Sequence, residues 1–166
     1  MAKLILLRGN SGSGKTSTAK LLQERIDSGT VRLSHDMIRM EILHTSGREG
    51  VERSLPLMIA LLRYARQSAE VTILEGILPT ADYAPLFEAA VKEFGENIRA
   101  YYYDLSFEET LRRHGTKPNR ADFGEAEMRR WWRDRDFIGI IPETLLGPED
   151  GQAETVERIL RDIGEL

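Results

Sequence analysis

The sequence predicts an α/β fold in which a mainly parallel sheet is covered by helices on both faces. Short apolar runs alternate with helical segments along nearly the whole chain, and this alternation is typical of β–α–β units. A glycine-rich turn joins the first apolar run to the first helical segment, and no internal repeat or linker interrupts the pattern. The 166 residues therefore indicate one domain, 1–166.

The first half of the chain contains three predicted strands. The apolar run at 3–8 favours a buried strand, and the helix that follows has apolar residues spaced along one face. In order, we expect a strand over 3–8, a helix over 15–27 that residues 27–30 end, a strand over 31–34, a helix over 37–43, a loop over 44–50, a helix over 52–69 and a strand over 71–75. Pro56 lies near the start of its predicted helix, where proline is tolerated.

The second half continues the alternation. In order, we expect a helix from about 79 to 94, a strand over 99–104, a helix over 107–113, a polar loop over 115–124, a helix over 125–136, a short strand within 138–146, a turn over 147–151 and a helix over 154–163. Gly95 suits the end of the first of these helices. Because ligands of parallel sheets bind at the carboxyl ends of the strands, residues that follow the strands should meet in one site.

Composition excludes several classes of protein. No apolar run approaches the length of a membrane span, and without cysteine neither a disulfide framework nor a cysteine metal site is possible. The three histidines, at positions 35, 44 and 114, lack the spacing of metal ligands. A net charge of −4 argues against nucleic acid as a partner, because nucleic-acid footprints are usually basic. Since the first strand begins at residue 3, we expect no signal peptide and a cytoplasmic protein.

The glycine-rich turn matches G-x-x-x-x-G-K-[ST], the phosphate-binding P-loop. Its backbone N–H groups point into one concavity, and the start of the next helix adds partial positive charge, so a nucleoside triphosphate should bind there. We expect Lys15 to reach the β- and γ-phosphates and the Thr16 hydroxyl to ligate Mg²⁺. The expected ligands are ATP and Mg²⁺, and the predicted phosphate-binding residues are Gly9, Asn10, Ser11, Gly12, Ser13, Gly14, Lys15, Thr16 and Ser17.

Carboxylates at strand ends are candidates for the chemistry. Asp36 follows the second strand, where it could accept a proton from a substrate hydroxyl or simply favour a helix N-terminus. Arg39, one turn on, could hold an anionic group of the substrate or pair with Asp36. Glu75 and Asp104 each end an apolar strand. We favour Glu75 as the second acid beside Mg²⁺, since its strand is the expected neighbour of the first; Glu75 could instead bind substrate, because Gly76 permits close approach.

A basic segment surrounds the polar loop in the second half. Its members are Arg112, Arg113, Lys117, Arg120, Arg129 and Arg130. Guanidinium groups stabilise the charge that spreads over oxygens during phosphoryl transfer, so we predict a lid over about 114–136 with Arg113 and Arg120 as catalytic residues. The alternative is a solvated charged surface. We expect Trp131 and Trp132 to anchor the lid helix, one in the core and the other partly exposed.

Several stretches resemble the small P-loop kinases: GNSGSGKT at 9–16, SHDMIR at 34–39 and ILEG at 73–76, followed by the arginine-bearing lid. Within these, the chain resembles the branch that includes chloramphenicol phosphotransferase, zeta-toxin kinases, gluconate kinases and the kinase domain of polynucleotide kinase. The run EETLRRH at 108–114, with FGE, MR and WW after it, is similar to a subgroup of bacterial proteins classed as kinases without an assigned substrate.

This resemblance implies a P-loop NTPase three-layer sandwich with sheet order 2-3-1-4-5. It implies that Asp36 matches the acid that serves as base in the phosphotransferases, that lid arginines flank the γ-phosphate, and that the turn 147–151 lies near the adenine. Glu75 departs from the pattern, because an aspartate often ends the third strand in these proteins.

We therefore expect an ATP- and Mg²⁺-dependent phosphotransferase that moves the γ-phosphate to a hydroxyl of a small molecule, with Asp36 as base. One alternative is a nucleotide or polynucleotide 5′-kinase, which would need a basic groove and salt-dependent binding of oligonucleotides. Another is a regulatory ATPase or switch, which would expose a large apolar patch to a partner protein.

Overall fold

The computed structural model describes residues 1–26 and 29–165. The strands of its sheet are Lys3–Gly9 (β1), Val31–Ser34 (β2), Val71–Gly76 (β3), Ile98–Tyr103 (β4) and Glu143–Leu146 (β5). Their order is β2-β3-β1-β4-β5, and every neighbouring pair is parallel. The α/β class and the sheet order 2-3-1-4-5 are therefore confirmed.

Helices cover both faces of the sheet. They are Lys15–Ile26 (α1), Gly47–Ser68 (α2), Thr80–Phe94 (α3), Phe107–Gly115 (α4), Glu125–Trp131 (α5) and Gln152–Asp162 (α6), with a π-helix at Met37–Ile42 and a 3₁₀ turn at Gly95–Asn97. The predicted end of the first helix at residues 27–28 lies outside the described residues. In the described part of the chain, no helix is both long enough and apolar enough to cross a membrane.

Alternating side chains of β1 enter two separate cores. Leu4 and Leu6 pack in the cluster that α2 and α3 close, whereas Ile5 and Leu7 pack in the cluster that α1 and α6 close. All four side chains are fully buried. Because successive residues of a strand point to opposite faces, a continuous apolar run is what a strand covered on both sides requires.

The helix after the π-helix begins earlier than its sequence predicts. It starts at Gly47 rather than at residue 52, so Pro56 lies in its interior and not near its start. The first turn is closed by Gly50 N, which donates to Ser46 O at 3.0 Å. Polar residues and two glycines hid this turn from a periodicity argument, because helix existence there depends on packing rather than on propensity.

The helix that begins at residue 125 is shorter than predicted. It ends at Trp131, and Trp132 has an extended backbone with ψ of 132°. Neither tryptophan is in the core, so the expectation that one would be buried is wrong; Trp131 is 39% exposed. Their rings pack edge-on against Phe123 and Phe107, while Met128 takes the buried position of this short helix.

Candidate active site

The P-loop connects β1 to α1 at the carboxyl edge of the sheet. Gly12 has φ of +82°, and a Cβ there would lie 2.5 Å from the Thr110 carbonyl oxygen, so only glycine fits without a shift of α4. Within the loop, the buried Lys15 Nζ donates to Asn10 O at 2.8 Å and to Ser13 Oγ at 3.2 Å. The predicted phosphate-binding residues 9–17 thus lie in one continuous turn and the start of one helix.

The charge of Lys15 is sensitive to its surroundings. Burial lowers the pKa of Lys15 to about 8, and the carboxylates of Glu75 and Asp36 act in the opposite direction. The ammonium of Lys117 lowers the pKa of Lys15 a little further. These four groups are therefore near enough to feel one another's charge, although they come from four different segments of the chain.

Glu75, and not Asp104, lies beside Thr16. The Thr16 hydroxyl donates to Glu75 Oε1 at 3.1 Å, and the Glu75 side chain is buried at the end of β3. Asp104 follows β4 and instead pairs with Arg135, whose Nη2 lies 2.5 Å from its Oδ2. A hydroxyl and a carboxylate are oxygen ligands of the kind that Mg²⁺ prefers.

The donors present suit a metal that also binds the substrate. Across residues 1–26 and 29–165, no group of three or more His, Asp or Glu side chains could hold a metal ion unaided. Mg²⁺ characteristically uses one or two carboxylates together with waters and phosphate oxygens. The pair formed by Thr16 and Glu75 fits that mode of binding.

Asp36 and Arg39 lie at the edge of a cavity. The Asp36 side chain is 64% exposed, and its Oδ1 lies 3.9 Å from Arg39 Nη2 without a hydrogen bond. Both residues stand at the π-helix that follows β2, in which Leu43 N donates to Ile38 O. π-Helical turns are rare and are often found at functional sites.

This cavity, called the Asp36 cavity below, has a volume of about 520 Å³. Its lining includes Ser11 of the P-loop, Asp36 and Arg39 of the π-helical segment, and Trp131 and Arg133 from the end of α5 onward. Its size is within the range of small-molecule sites. The structure therefore brings the predicted substrate residues Asp36 and Arg39 to a space that adjoins the phosphate loop.

A buried histidine fixes the backbone before Asp36, and sequence reasoning gave it no role. His35 Nε2 lies 2.6 Å from Tyr83 Oη, which is 2.8 Å from Ser54 Oγ. A Cβ on Gly76 would lie 2.6 Å from His35 Cβ, so β3 and His35 pack closely. Burial lowers the pKa of His35 to about 4, opposed by Asp36, so the ring is neutral at neutral pH.

The predicted lid arginines occupy different places. Arg113 Nη1 donates to Ser13 O of the P-loop at 2.9 Å, and its Nε donates to Glu109 at 2.8 Å. Arg120 is exposed, and its guanidinium donates only to Lys117 O, at 3.4 Å, among the described residues. The structure therefore places Arg113, but not Arg120, in hydrogen-bond contact with the P-loop.

The carboxylates of Glu75 and Asp36 act on the charge of Lys117, which sequence reasoning did not select among the basic residues. Burial lowers the pKa of Lys117, while the carboxylates of Glu75 and Asp36 raise it. Its position after α4 was visible in sequence, but the direction of its side chain depends on how the 115–124 segment folds back.

Two contacts hold the segment after α5 against the P-loop and β1. Asn10 Nδ2 donates to Arg133 O at 2.7 Å, and Arg133 N donates back to Asn10 Oδ1 at 2.7 Å. Arg8 is fully buried and donates to Glu143 Oε1 at 2.8 Å and to Asp136 Oδ2 at 3.1 Å. Sequence reasoning found neither contact, because each joins residues more than a hundred positions apart.

Comparisons with known proteins agree with this fold. The family model described as Zeta toxin matches residues 2–120. Among curated proteins, none is significantly similar to this chain in sequence.

Several solved structures share the fold. The chain is similar to the APS kinase of Mycobacterium tuberculosis in complex with AMPPNP and APS, with a TM-score of 0.67 and 21% identity over 99% of this chain and 98% of that chain. It is also similar to the tunicamycin resistance protein of Deinococcus radiodurans, with a TM-score of 0.66 and 21% identity over 98% of this chain and 96% of that chain. A third similar structure is shikimate kinase from Acinetobacter baumannii in complex with shikimate, with a TM-score of 0.62 and 17% identity over 99% of this chain and 94% of that chain. The fold is thus that of the small P-loop kinases.

Proposed function

The chain belongs to the Zeta toxin family, and on that premise we propose that it is an ATP- and Mg²⁺-dependent phosphotransferase whose acceptor is a hydroxyl group of a small molecule. The observation that carries the proposal is the shared lining of the Asp36 cavity by Asp36 and by Ser11 of the P-loop. Because the cavity adjoins the P-loop, an acceptor bound in it would lie next to a triphosphate held by the P-loop.

Asp36 is the proposed base. It would accept the proton of the acceptor hydroxyl while that oxygen forms a bond to the γ-phosphorus, and the bond from phosphorus to the β–γ bridging oxygen would break, so that ADP leaves. Its exposed carboxylate projects from the start of the π-helix, and the neutral, hydrogen-bonded His35 holds the preceding backbone.

Cationic side chains would bind the phosphates and stabilise the charge of the transferred group. We assign this role to Lys15 and to Arg113, whose guanidinium already reaches the P-loop at Ser13. Thr16 and Glu75 would hold Mg²⁺, which when bound supplies further neutralisation of phosphate charge. Among the described residues Arg120 makes no comparable contact, so its catalytic role stays a prediction from sequence.

The structurally similar proteins give independent support for a small acceptor. By their names, the APS kinase and the shikimate kinase act on small molecules, and each structure contains that molecule. These proteins and this chain share the fold, which supports a small acceptor but does not identify it.

The test is ATP turnover with Mg²⁺ against a pooled set of sugars, nucleosides, sugar acids, aminoglycosides and amphenicols, with hydrolysis in water as the blank. We expect one class of acceptor to stimulate turnover and Asp36→Asn to lower that turnover by on the order of 10²-fold while ATP binding is kept. Glu41→Gln, an exposed carboxylate change on the same π-helix, is the matched control. Turnover that is flat across the pool, or equal in Asp36→Asn and the wild type, would contradict the proposal.

A further inference from the structure

More arginines than acidic residues line the Asp36 cavity. The arginines that line it are Arg39, Arg48, Arg130 and Arg133, and the carboxylates are Asp36 and Asp82. Arg48 has acidic neighbours, since its Nε lies 3.1 Å from Glu52 and its Nη1 lies 3.5 Å from Asp82. Arg130 lies 3.7 Å from Glu127 on its own helix. Of the four arginines, Arg39 and Arg133 remain, and neither is hydrogen-bonded to a carboxylate among the described residues.

Arg39 is held in place but its guanidinium has no hydrogen-bond partner among the residues that the structure describes. Its side chain is only 25% exposed, and its Nε is fully buried and unpaired. The side chain packs on α2, where Arg39 Cδ lies 3.4 Å from the Cβ position of Gly50. Buried donors of a guanidinium are costly unless something accepts their hydrogen bonds.

Pairing with Asp36 does not satisfy Arg39. The two side chains are 3.9 Å apart at their nearest charged atoms and make no hydrogen bond, and the Asp36 carboxylate is largely exposed. An ion pair at that distance, with one partner largely exposed, contributes little. Of the two roles that the sequence allows for Arg39, the structure thus favours the binding of an anionic group.

Arg133 brings a second cation from another part of the chain. Its main chain is fixed by the paired hydrogen bonds to Asn10, while its guanidinium donates only to Trp132 O, at 3.3 Å, among the described residues. No carboxylate within that part of the chain lies within salt-bridge distance of Arg133. Arg39 and Arg133, from different segments, therefore line the same cavity, and neither is hydrogen-bonded to a carboxylate among the described residues.

We infer that the acceptor is an anion, and that its carboxylate or phosphate group is bound by Arg39 and Arg133 while its hydroxyl faces Asp36. This inference rests on the proposed phosphotransfer and narrows its substrate to acidic hydroxylated molecules. The negative charge of Asp36 itself requires this orientation, because it would repel the anionic end of the acceptor. Guanidinium groups suit both carboxylate and phosphate through paired hydrogen bonds.

Binding to the protein loaded with Mg·AMPPNP tests the inference, since the loaded P-loop cannot take up the probes. Two matched pairs are titrated by calorimetry: D-gluconate with sorbitol, and glycerol 3-phosphate with glycerol. We expect at least one charged member to bind about 10-fold or more tightly than its neutral partner, and the two pairs distinguish carboxylate from phosphate. Arg39→Gln and Arg133→Gln should each reduce this charge preference several-fold.

The controls separate this inference from the proposed function. Arg53→Gln removes an exposed arginine of α2 that lies outside the cavity, and it should keep the full preference. Arg39→Lys retains the charge but not the planar fork and should recover only part of it. Equal binding of charged and neutral probes, or binding of neither by a protein that holds AMPPNP, overturns the anion inference. A clear charge preference without any acceptor-stimulated turnover would instead refute the proposed phosphotransfer.

Discussion

At the scale of single residues, Lys15 links the chemistry of the site to pH. The buried ammonium is tolerated because it donates hydrogen bonds to Asn10 O and Ser13 Oγ, and because the negative charges of Glu75 and Asp36 stabilise it. These partners do not fully offset its burial, since the pKa of Lys15 falls from 10.5 to about 8. Bound phosphates would add negative charge next to the ammonium and favour its protonated form.

We expect the affinity for Mg·AMPPNP to fall as pH rises above about 8, by up to ~10-fold per pH unit, because binding must then take up one proton at Lys15. Calorimetric titrations at several pH values, each in two buffers of different ionisation enthalpy, measure both the affinity and the proton uptake. If Lys15 causes it, Lys117→Gln should keep this dependence with its onset moved slightly to higher pH, because the Lys117 ammonium lowers the pKa of Lys15. An affinity that stays constant from pH 7 to pH 9.5 would contradict the assignment.

The same group has an opposite effect on the free energy of unfolding of the unliganded protein. Between about pH 8 and pH 10.5 the unfolded chain holds a proton on Lys15 that the folded chain has lost. In that window this group makes the free energy of unfolding rise with pH, and below it the full cost of burying the charge is present. Stability and nucleotide affinity should therefore change in opposite directions there.

Thr16 and Glu75 give the metal assignment a test of its own. Glu75→Gln removes the carboxylate that accepts from Thr16, and we expect the Mg²⁺ concentration for half-maximal ATP turnover to rise by on the order of 10-fold. Asp104→Asn is the matched control, because Asp104 follows β4, on the other side of β1, but pairs with Arg135. If Asp104→Asn raises the Mg²⁺ requirement and Glu75→Gln does not, the assignment is wrong.

At the scale of elements, the site depends on the hydrogen bonds and ion pairs that hold the segment after α5 against β1 and the P-loop. Arg8, at the end of β1, lies between Phe87 and Tyr102 rings and bonds Asp136 and Glu143. The buried guanidinium therefore connects the first strand to the chain that precedes β5. Through the same segment, the main chain of Arg133 reaches Asn10 of the P-loop.

Asp136→Ala should destabilise the fold by on the order of 3 kcal/mol, because it removes one carboxylate from a fully buried arginine. It also removes the acceptor of the Thr80 N–H. Chemical denaturation measures the change, with Asp134→Ala, an exposed neighbour, as the control that should alter stability little. Equal stability of both variants would mean that the Arg8 network adds no net stability.

Most elements could be predicted from sequence because their signals are local. The sequence pattern placed four strands directly and the fifth within 138–146, and the P-loop motif located the turn between β1 and α1. The start of α2 at Gly47 and the end of α5 at Trp131 could not be predicted in the same way. Both boundaries depend on packing: Gly50 fits against Arg39, and Met128 rather than a tryptophan enters the core.

In the candidate site, too, the residues with local sequence signals could be predicted and those that depend on long-range contacts could not. The P-loop, Asp36 and Glu75 follow from a motif and from strand ends, which meet at one edge in a parallel sheet. The Asn10–Arg133 contact, the Arg8 network and the effect of Glu75 and Asp36 on the charge of Lys117 involve partners far apart in sequence, so no local pattern reports them. The sheet order 2-3-1-4-5 was implied by the resemblance, since spacing along the chain does not determine which strands are neighbours.

At the scale of the whole molecule, the Asp36 cavity and a second cavity lie at opposite ends of the sheet strands. The Asp36 cavity is at the carboxyl edge, whereas the second cavity, of about 410 Å³, is lined by Ile98 and Pro142, where β4 and β5 begin. The carboxyl edge brings together the P-loop, the carboxylates and two arginines that have no carboxylate hydrogen-bonded to them among the described residues. A net charge of −4 for the chain therefore conceals a local site that suits anions.

Nucleotide binding should stabilise the fold, because the P-loop joins β1 and α1 to α4 and to the segment after α5. Gly12 packs on Thr110 of α4, Ser13 accepts from Arg113, and Asn10 bonds Arg133. At about 100 times its dissociation constant, Mg·AMPPNP adds ~2.7 kcal/mol to the free energy of unfolding. For a domain of this size that corresponds to a rise in Tm of roughly 5–10 °C, measured by calorimetry.

Lys15→Ala removes the one ammonium of the loop and should abolish most of this rise in Tm at the same nucleotide concentration. Arg120→Ala is the companion variant, because its guanidinium makes no contact with the P-loop among the described residues. If Arg120→Ala reduces the rise as strongly as Lys15→Ala does, then the 115–124 loop closes over the nucleotide and brings Arg120 to the phosphates, as the sequence predicts. If it leaves the rise intact while Arg113→Ala reduces it, the phosphates are bound by the P-loop and α4 alone.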